Sequence, residues 1–199
     1  MRDDVAHRQQ LLFTIRKSIR YHNVRRQFFE RLHNMTAALC VTFGTVTTFA
    51  LLFNAGPYLA ASAAAVVTVV SALDLVLGTS AKVRLHHDLA RRYIGLEKRI
   101  IGKLHPNALD IRHWEAERLD IQADEPPVRQ VLDAMIYNEL LQAYGADADQ
   151  LIEVHWYQRW MAQLVDVHVH RLVDRRPQRT EFLSIVEPED EPAELEVRA

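Results

Sequence analysis

The sequence predicts an all-α protein: a two-helix transmembrane hairpin, extended by a cytoplasmic helical bundle and followed by a disordered acidic C-terminal tail. Three observations predict it. Residues 35–53 form an apolar run without a charged side chain, and residues 58–77 form a second with only Asp74. Each run matches the ~20 residues that a helix needs to cross a hydrocarbon core of ~30 Å. Only Asn54, Ala55, Gly56 and Pro57 separate the runs, so the two helices must turn straight back on each other.

The composition agrees once it is read by position. A chain of 199 residues has room for one compact unit and little more. Its mean hydropathy of −0.14 looks soluble, but charges crowd into 1–34 and 79–199 and almost vanish between. The net charge of −2 gives no basic footprint for nucleic acid. The one cysteine, Cys40, lies in the first apolar run and has no intrachain disulfide partner. The segment before the hairpin carries Arg2, Arg8, Arg16, Lys17, Arg20, Arg25, Arg26 and Arg31. That is too long and too charged for the leading part of a signal peptide, so the first run reads as a retained anchor. Lys82, Arg84, Arg91, Arg92, Lys98 and Arg99 follow the hairpin, and its turn has no charge. The positive-inside rule then predicts a multi-pass protein of the cell inner membrane with both termini cytoplasmic. A soluble bundle hiding a central apolar hairpin is the alternative, but so short a chain leaves little to wrap two such runs.

Residues 1–34 are expected to be an N-terminal cytoplasmic amphipathic helix. Leu12, Ile15, Ile19, His22, Phe29 and Leu32 recur at spacings of three, four and seven from residue 4 to residue 34. Arg20, Tyr21, Arg25, Arg26, Phe28 and Phe29 are candidate membrane-interface residues, the aromatics at headgroup depth and the arginines on anionic lipid. The transmembrane hairpin then occupies 35–78, with helices over 35–53 and 58–77. In its first helix Thr36, Cys40, Gly44, Thr47 and Thr48 fall within a sector of roughly 120°. Small and hydroxyl residues in lipid mark helix–helix contact, and in an oligomer they can also face a lumen. In the second helix Ala60, Ala64, Val67, Ser71, Asp74 and Gly78 make a seam spaced four, three, four, three, four. This suits a left-handed antiparallel crossing. Gly44, Ala60, Ala64 and Gly78 are the candidate hairpin-packing positions. Thr36, Thr47, Thr48, Ser71 and Asp74 are the candidate pore or intramembrane polar positions.

Asp74 is the costly member of that set. A carboxylate at a helix centre costs about 2.5–3.5 kcal/mol on insertion scales, and less near the end. It must face a partner or water. Folding the hairpin about its turn brings Asp74 level with Ala37, within reach of Thr36, Asn34 and His33. Either a structural polar contact or a ring of carboxylates along a cation path follows.

A cytoplasmic helical region is expected over 79–174. Val83, Leu85, Leu89, Tyr93, Leu96 and Ile100 continue the helix beyond the hairpin, until Gly102 and His105-Pro106 end it. His86 and His87 are adjacent and point apart, poor geometry for a metal. A short helix is expected over 110–121 with Trp114 packing. Another is expected over 128–144, with Pro127 in its first turn and Gly145 as cap. Asp147 or Asp149 is expected to cap a last helix reaching about Val173, with Leu151, Val154, Tyr157, Met161, Leu164, His168 and Leu172 on one face. His168 and His170, two apart, lie on different sides of a helix and are discounted as zinc ligands. Residues 175–199, rich in Glu, Asp and Pro, read as the acidic tail.

No catalytic residue, cofactor site or metal site is expected. The sequence lacks GxGxxG, P-loop, HExxH, CxxC and GxSxG patterns. Its carboxylates, among them Asp120, Asp124, Glu125 and Glu139, have no spacing that argues for acid–base work.

Three stretches carry a family resemblance: SIRYHNVRRQFFERLHN before the hairpin, SALDLVLGTSAKVRLHHDLARRYIGLEKRI through and after it, and EPPVRQVLDAMIYNELLQAYG beyond. With the hairpin between them, residues 10–172 resemble the SLATT family, the SMODS- and SLOG-associating two-transmembrane effector domains of prokaryotes. The resemblance implies a pore-forming or membrane-depolarising effector of a conflict or antiphage system. It also implies a partner protein that senses or synthesises a nucleotide signal, because this chain contains neither module. The motifs are soft, and no site residue is carried over from the family. Partners expected on this reading are the lipid bilayer and further copies of the chain, because one hairpin cannot enclose an aqueous path. The alternative is a non-conducting, membrane-anchored scaffold that recruits cytoplasmic partners through its helices.

Overall fold

A computed structural model of the protein describes residues 2–146, 150–166 and 169. Among them there is helix and no strand. The helices are α1 (Arg2–Leu52), α2 (Pro57–Leu77), α3 (Thr79–Gly102), α4 (Ala108–Ala123), α5 (Gln130–Ala143) and α6 (Trp156–Met161). The second half of α1 and the whole of α2 are long and apolar enough to cross a membrane. At 1.5 Å per residue, the 21 residues of α2 extend about 32 Å, close to the ~30 Å of a hydrocarbon core. The hairpin turn falls where the sequence puts it. Asn54 (φ 50°) takes the left-handed conformation that asparagine tolerates, and the Ala55 N–H reaches back to the Ala50 carbonyl at 3.0 Å. Pro57 opens α2, where its missing N–H leaves no bond unmade.

The chain divides into two compact units, Met1–Tyr21 with Leu89–Ala199, and His22–Asp88. The divisions fall inside α1 and α3, so the hairpin unit reaches thirteen residues before residue 35 and ten beyond residue 78. In the first unit Leu11, Leu12 and Ile15 of α1 pack with Leu89, Tyr93, Leu96 and Ile100 of α3 and with Ile111, Trp114 and Ile121 of α4. Phe13 adds Leu141, Tyr137 and Tyr144 around α5. Polar bonds fix the register: Arg16 donates to Glu97 (2.7 Å) and to the Tyr144 hydroxyl (2.6 Å), and Lys17 donates to Asp133 (2.8 Å). Burial pushes the Tyr93 phenol up, and the Glu125 carboxylate that its hydroxyl bonds adds to the shift.

Three elements differ from expectation. The helix expected over 110–121 starts at Ala108, because Asn107 and Asp110 close a reciprocal capping box, each side chain bonded to the other's N–H at 2.8 Å. The one expected from Val128 starts at Gln130. The Arg129 N–H goes instead to the Tyr21 hydroxyl (2.9 Å), and Asp166 accepts from the Val131 N–H (3.2 Å). Gly145 (φ 90°) sits one residue past the cap of α5, and the Ala146 N–H bonds the Leu141 carbonyl. The largest correction concerns the last helix. Residues 151–155 are not helical, and α6 spans only Trp156–Met161. The Asn138 amide accepts from the Ile152 N–H (2.9 Å) and donates to the Ile152 carbonyl (2.7 Å), so both backbone groups are taken outside any helix. The expected caps Asp147 and Asp149, the residues His168, His170 and Leu172, and the acidic tail 175–199 lie outside the described residues.

Candidate functional site

The polar residues of the hairpin unit gather where α2 meets α3. Gly78 (φ 59°) takes a left-handed turn between the two helices, donating its N–H to the Asp74 carbonyl at 3.0 Å. The next residue, Thr79, is buried and donates its hydroxyl to Asp74 Oδ1 at 2.5 Å. From α1, His33 Nδ1 lies 3.3 Å from Asp74 Oδ2 and 3.4 Å from the Thr79 hydroxyl. Thr36 donates to the His33 carbonyl (2.7 Å), and its hydroxyl oxygen is 3.3 Å from Asp74 Oδ1. The predicted reach to His33 and Thr36 is present. Asn34 is exposed, and Thr79 is the partner the sequence reading missed. The signal for Thr79 was available: a glycine directly before a hydroxyl residue lets the chain turn, so that the hydroxyl faces the last turn of α2.

The remaining candidates separate. Cys40 Sγ lies 3.3 Å from Ser71 Oγ across the two helices. The Thr42, Thr45, Thr47 and Thr48 hydroxyls each donate to the carbonyl four residues earlier. They are satisfied within α1, and Thr48 is exposed. Ala60 is buried as expected, but the next buried residue of α2 is Ala63, and Ala64 is exposed. The buried positions of α2 are thus 60 and 63. The physical reason is that Ala63 and Ala64 are identical side chains on an almost uniformly apolar helix, so the sequence does not distinguish their faces. Gly78 acts as a left-handed cap, not as a packing position. A Cβ placed on Gly44 would meet nothing within 4 Å, so no close helix approach is made there.

The expected membrane-interface set is redistributed. Tyr21 is buried, its hydroxyl holding the Arg129 N–H, and Arg20 pairs with Glu139. Both are spent on the packing of the first unit. Phe29 is buried as well, stacked on the His86 ring at 5.8 Å between centroids. Arg25 lies 4.6 Å from the Phe29 centroid and 5.6 Å from that of Phe28, and Lys82 lies 5.2 Å from Phe29. Arg26 donates to His87 Nδ1 at 3.1 Å. An arginine can only donate, so His87 keeps its ring proton on Nε2. His22 and His86 meet with Nδ1 atoms 3.0 Å apart, both enclosed. The adjacent histidines do point apart, each to a different partner on α1. Among the described residues no cluster of three or more His, Cys, Asp or Glu side chains is arranged to hold a metal ion.

No family model, no curated protein and no solved structure matches the chain. The site must therefore be judged on its own chemistry: a carboxylate held by two hydroxyls and an imidazole at one end of two apolar helices, beside a collar of arginine, lysine, histidine and phenylalanine.

Proposed function

We propose that the chain is an oligomeric two-transmembrane effector that perturbs or depolarises the inner membrane, with both termini on the cytoplasmic side. The observation that carries the proposal is burial. Between His22 and Asp88 no Leu or Val is enclosed, while Val41 is 71% exposed, Leu75 82% and Val76 83%. An apolar surface of that extent needs lipid or other copies of the chain. The SLATT resemblance supports the same reading and adds a conflict-system setting with a nucleotide-signalling partner. On this reading several hairpins surround a path, and Asp74, one per copy, supplies its charge.

The scaffold alternative keeps one specific observation in its favour. Asp74 is already engaged by Thr79, His33 and Thr36, and the threonine hydroxyls of α1 are turned to their own backbone. None is left idle to line water.

The deciding experiment is ion flux. The full chain is reconstituted in liposomes carrying a membrane potential, and a voltage-sensitive dye is followed. Wild type is expected to discharge the potential, and Asp74→Ala, inserted equally well, to discharge it more slowly. An inserted oligomer that leaves the potential intact both in liposomes and in cells overexpressing it overturns the effector reading in favour of the scaffold.

A further inference from the structure

The pair His22–His86 carries a consequence that the hairpin reading does not use. His22 is 1% exposed and His86 is 3% exposed, and their Nδ1 atoms are 3.0 Å apart. Two ring nitrogens at that distance share one hydrogen: one Nδ1 must carry it and the other must accept it. The accepting ring is therefore neutral, with its own proton on Nε2. The donating ring keeps the bond whether it is neutral or cationic. Among the charged states, the one in which both rings are imidazolium destroys it, because both Nδ1 atoms are then donors and two positive charges face each other inside the unit.

We infer that the His22–His86 pair is a proton-operated clasp between α1 and α3 at the base of the hairpin, closed with one proton shared and opened by a second charge. On α1 the charged groups beside the pair are Arg25 and Arg26. On α3 they are Lys82 and the exposed Asp88, and the titratable His87 accepts from Arg26. The only carboxylate of α2, Asp74, is engaged around His33, eleven residues or about 16 Å along α1 from His22. Phe29 lies flat against His86 and holds Arg25 and Lys82 within 5.2 Å of its centroid, so cationic groups share its ring. A second positive charge on the pair would add to those of Arg25, Arg26 and Lys82 in the same layer. The clasp lies on α1 and α3, which also carry His33, Thr36 and Thr79 of the Asp74 cluster, so a change in pH acts on the hairpin's base without any ligand. The inference stands whether or not the hairpin conducts.

The test is hydrogen exchange on the full chain in phosphatidylcholine nanodiscs at pH 8 and pH 5, read as protection factors so that intrinsic exchange is divided out. Protection over 22–33 and 79–88 is expected to fall about tenfold or more at pH 5. Tenfold is the bias from two unit charges at 3.0 Å even at the dielectric of water. The fall is expected to vanish in His22→Gln and in His86→Gln, each of which removes one titrating ring. Unchanged protection in wild type overturns the inference, and so does an equal fall in both variants, since the protons would then act elsewhere. Imidazole nitrogen spectra of the unsubstituted chain at pH 8 give an independent reading should a variant fail to fold. One protonated and one bare Nδ1 are expected in the pair, and two bare Nδ1 atoms overturn it.

Discussion

Between His22 and Asp88 the enclosed side chains include His22, Arg25, Thr79 and His86, and the apolar ones enclosed are Phe29 and three alanines. In the other unit the enclosed side chains are Leu11, Leu12, Ile15, Leu96, Ile100, Val131, Leu141 and their neighbours, with Gln158 the one buried polar residue among those described. The first pattern turns polar groups inward and apolar ones outward, and the second does the reverse. The two patterns are those that two different solvents favour. In water the apolar side chain gains by leaving the surface, whereas in lipid that gain disappears and the unpaired polar group becomes the expensive one. One chain thus holds two opposite burial rules, and helices α1 and α3 pass from one rule to the other without a break in their backbone.

Substitutions sharpen that contrast, beginning with the largest expected effect and its control. Leu96→Ala, at a fully enclosed position, is expected to destabilise the first unit by about 2–5 kcal/mol. Denaturant unfolding followed by tryptophan fluorescence measures it. Leu75→Ala, on the exposed face of α2, is expected to leave that transition within about 0.5 kcal/mol. Equal losses for the two would abolish the contrast. Asp74→Ala strands the Thr79 hydroxyl and is expected to lower the melting temperature, while leaving membrane insertion unchanged. Thermal melting in detergent together with carbonate extraction reads both. Gly78→Ala places a side chain at φ 59° and is expected to cost about 1–2 kcal/mol, although space for the methyl group is open.

The smallest effect concerns pH in the water-facing pattern. The Asn107 N–H and then Lys103 hold the Asp110 carboxyl below the usual carboxylate range. A carboxylate with a depressed value stabilises the fold above its unfolded value, and that contribution is lost as pH falls through the depressed one. Helix α4 is therefore expected to weaken only in strong acid. Asp110→Asn should flatten this part of the acid limb, as followed by circular dichroism.

Some features were legible in the sequence because a local pattern determines them. The hairpin follows from two apolar runs that together hold one charged residue, Asp74, its turn from Asn54, Gly56 and Pro57, and the buried stripe of α3 from Leu89, Tyr93, Leu96 and Ile100. The reach of His33 and Thr36 to Asp74 followed from folding two helices about four residues. What was not legible depends on partners distant in the chain. His22 meets His86 across 64 positions, and Tyr21 holds Arg129 across 108. Nothing in the surroundings of Tyr21 in sequence separates a headgroup anchor from a buried tyrosine. The non-helical stretch before α6 keeps a helical apolar period, and only the Asn138 amide, fourteen residues from Ile152, overrides it. The choice between Ala63 and Ala64 was undetermined because lipid-facing and partner-facing alanines look alike.

The turn from Phe53 to Gly56 is four residues long and contains no charged or titratable side chain. For a chain that spans a bilayer, this has a directional meaning. The far compartment would be offered little more than a phenylalanine, an asparagine, an alanine and a glycine. That is too little surface for a receptor, an antibody or a soluble messenger to grip. On such a molecule nearly all the polar surface that a soluble partner could grip belongs to the side on which the termini lie.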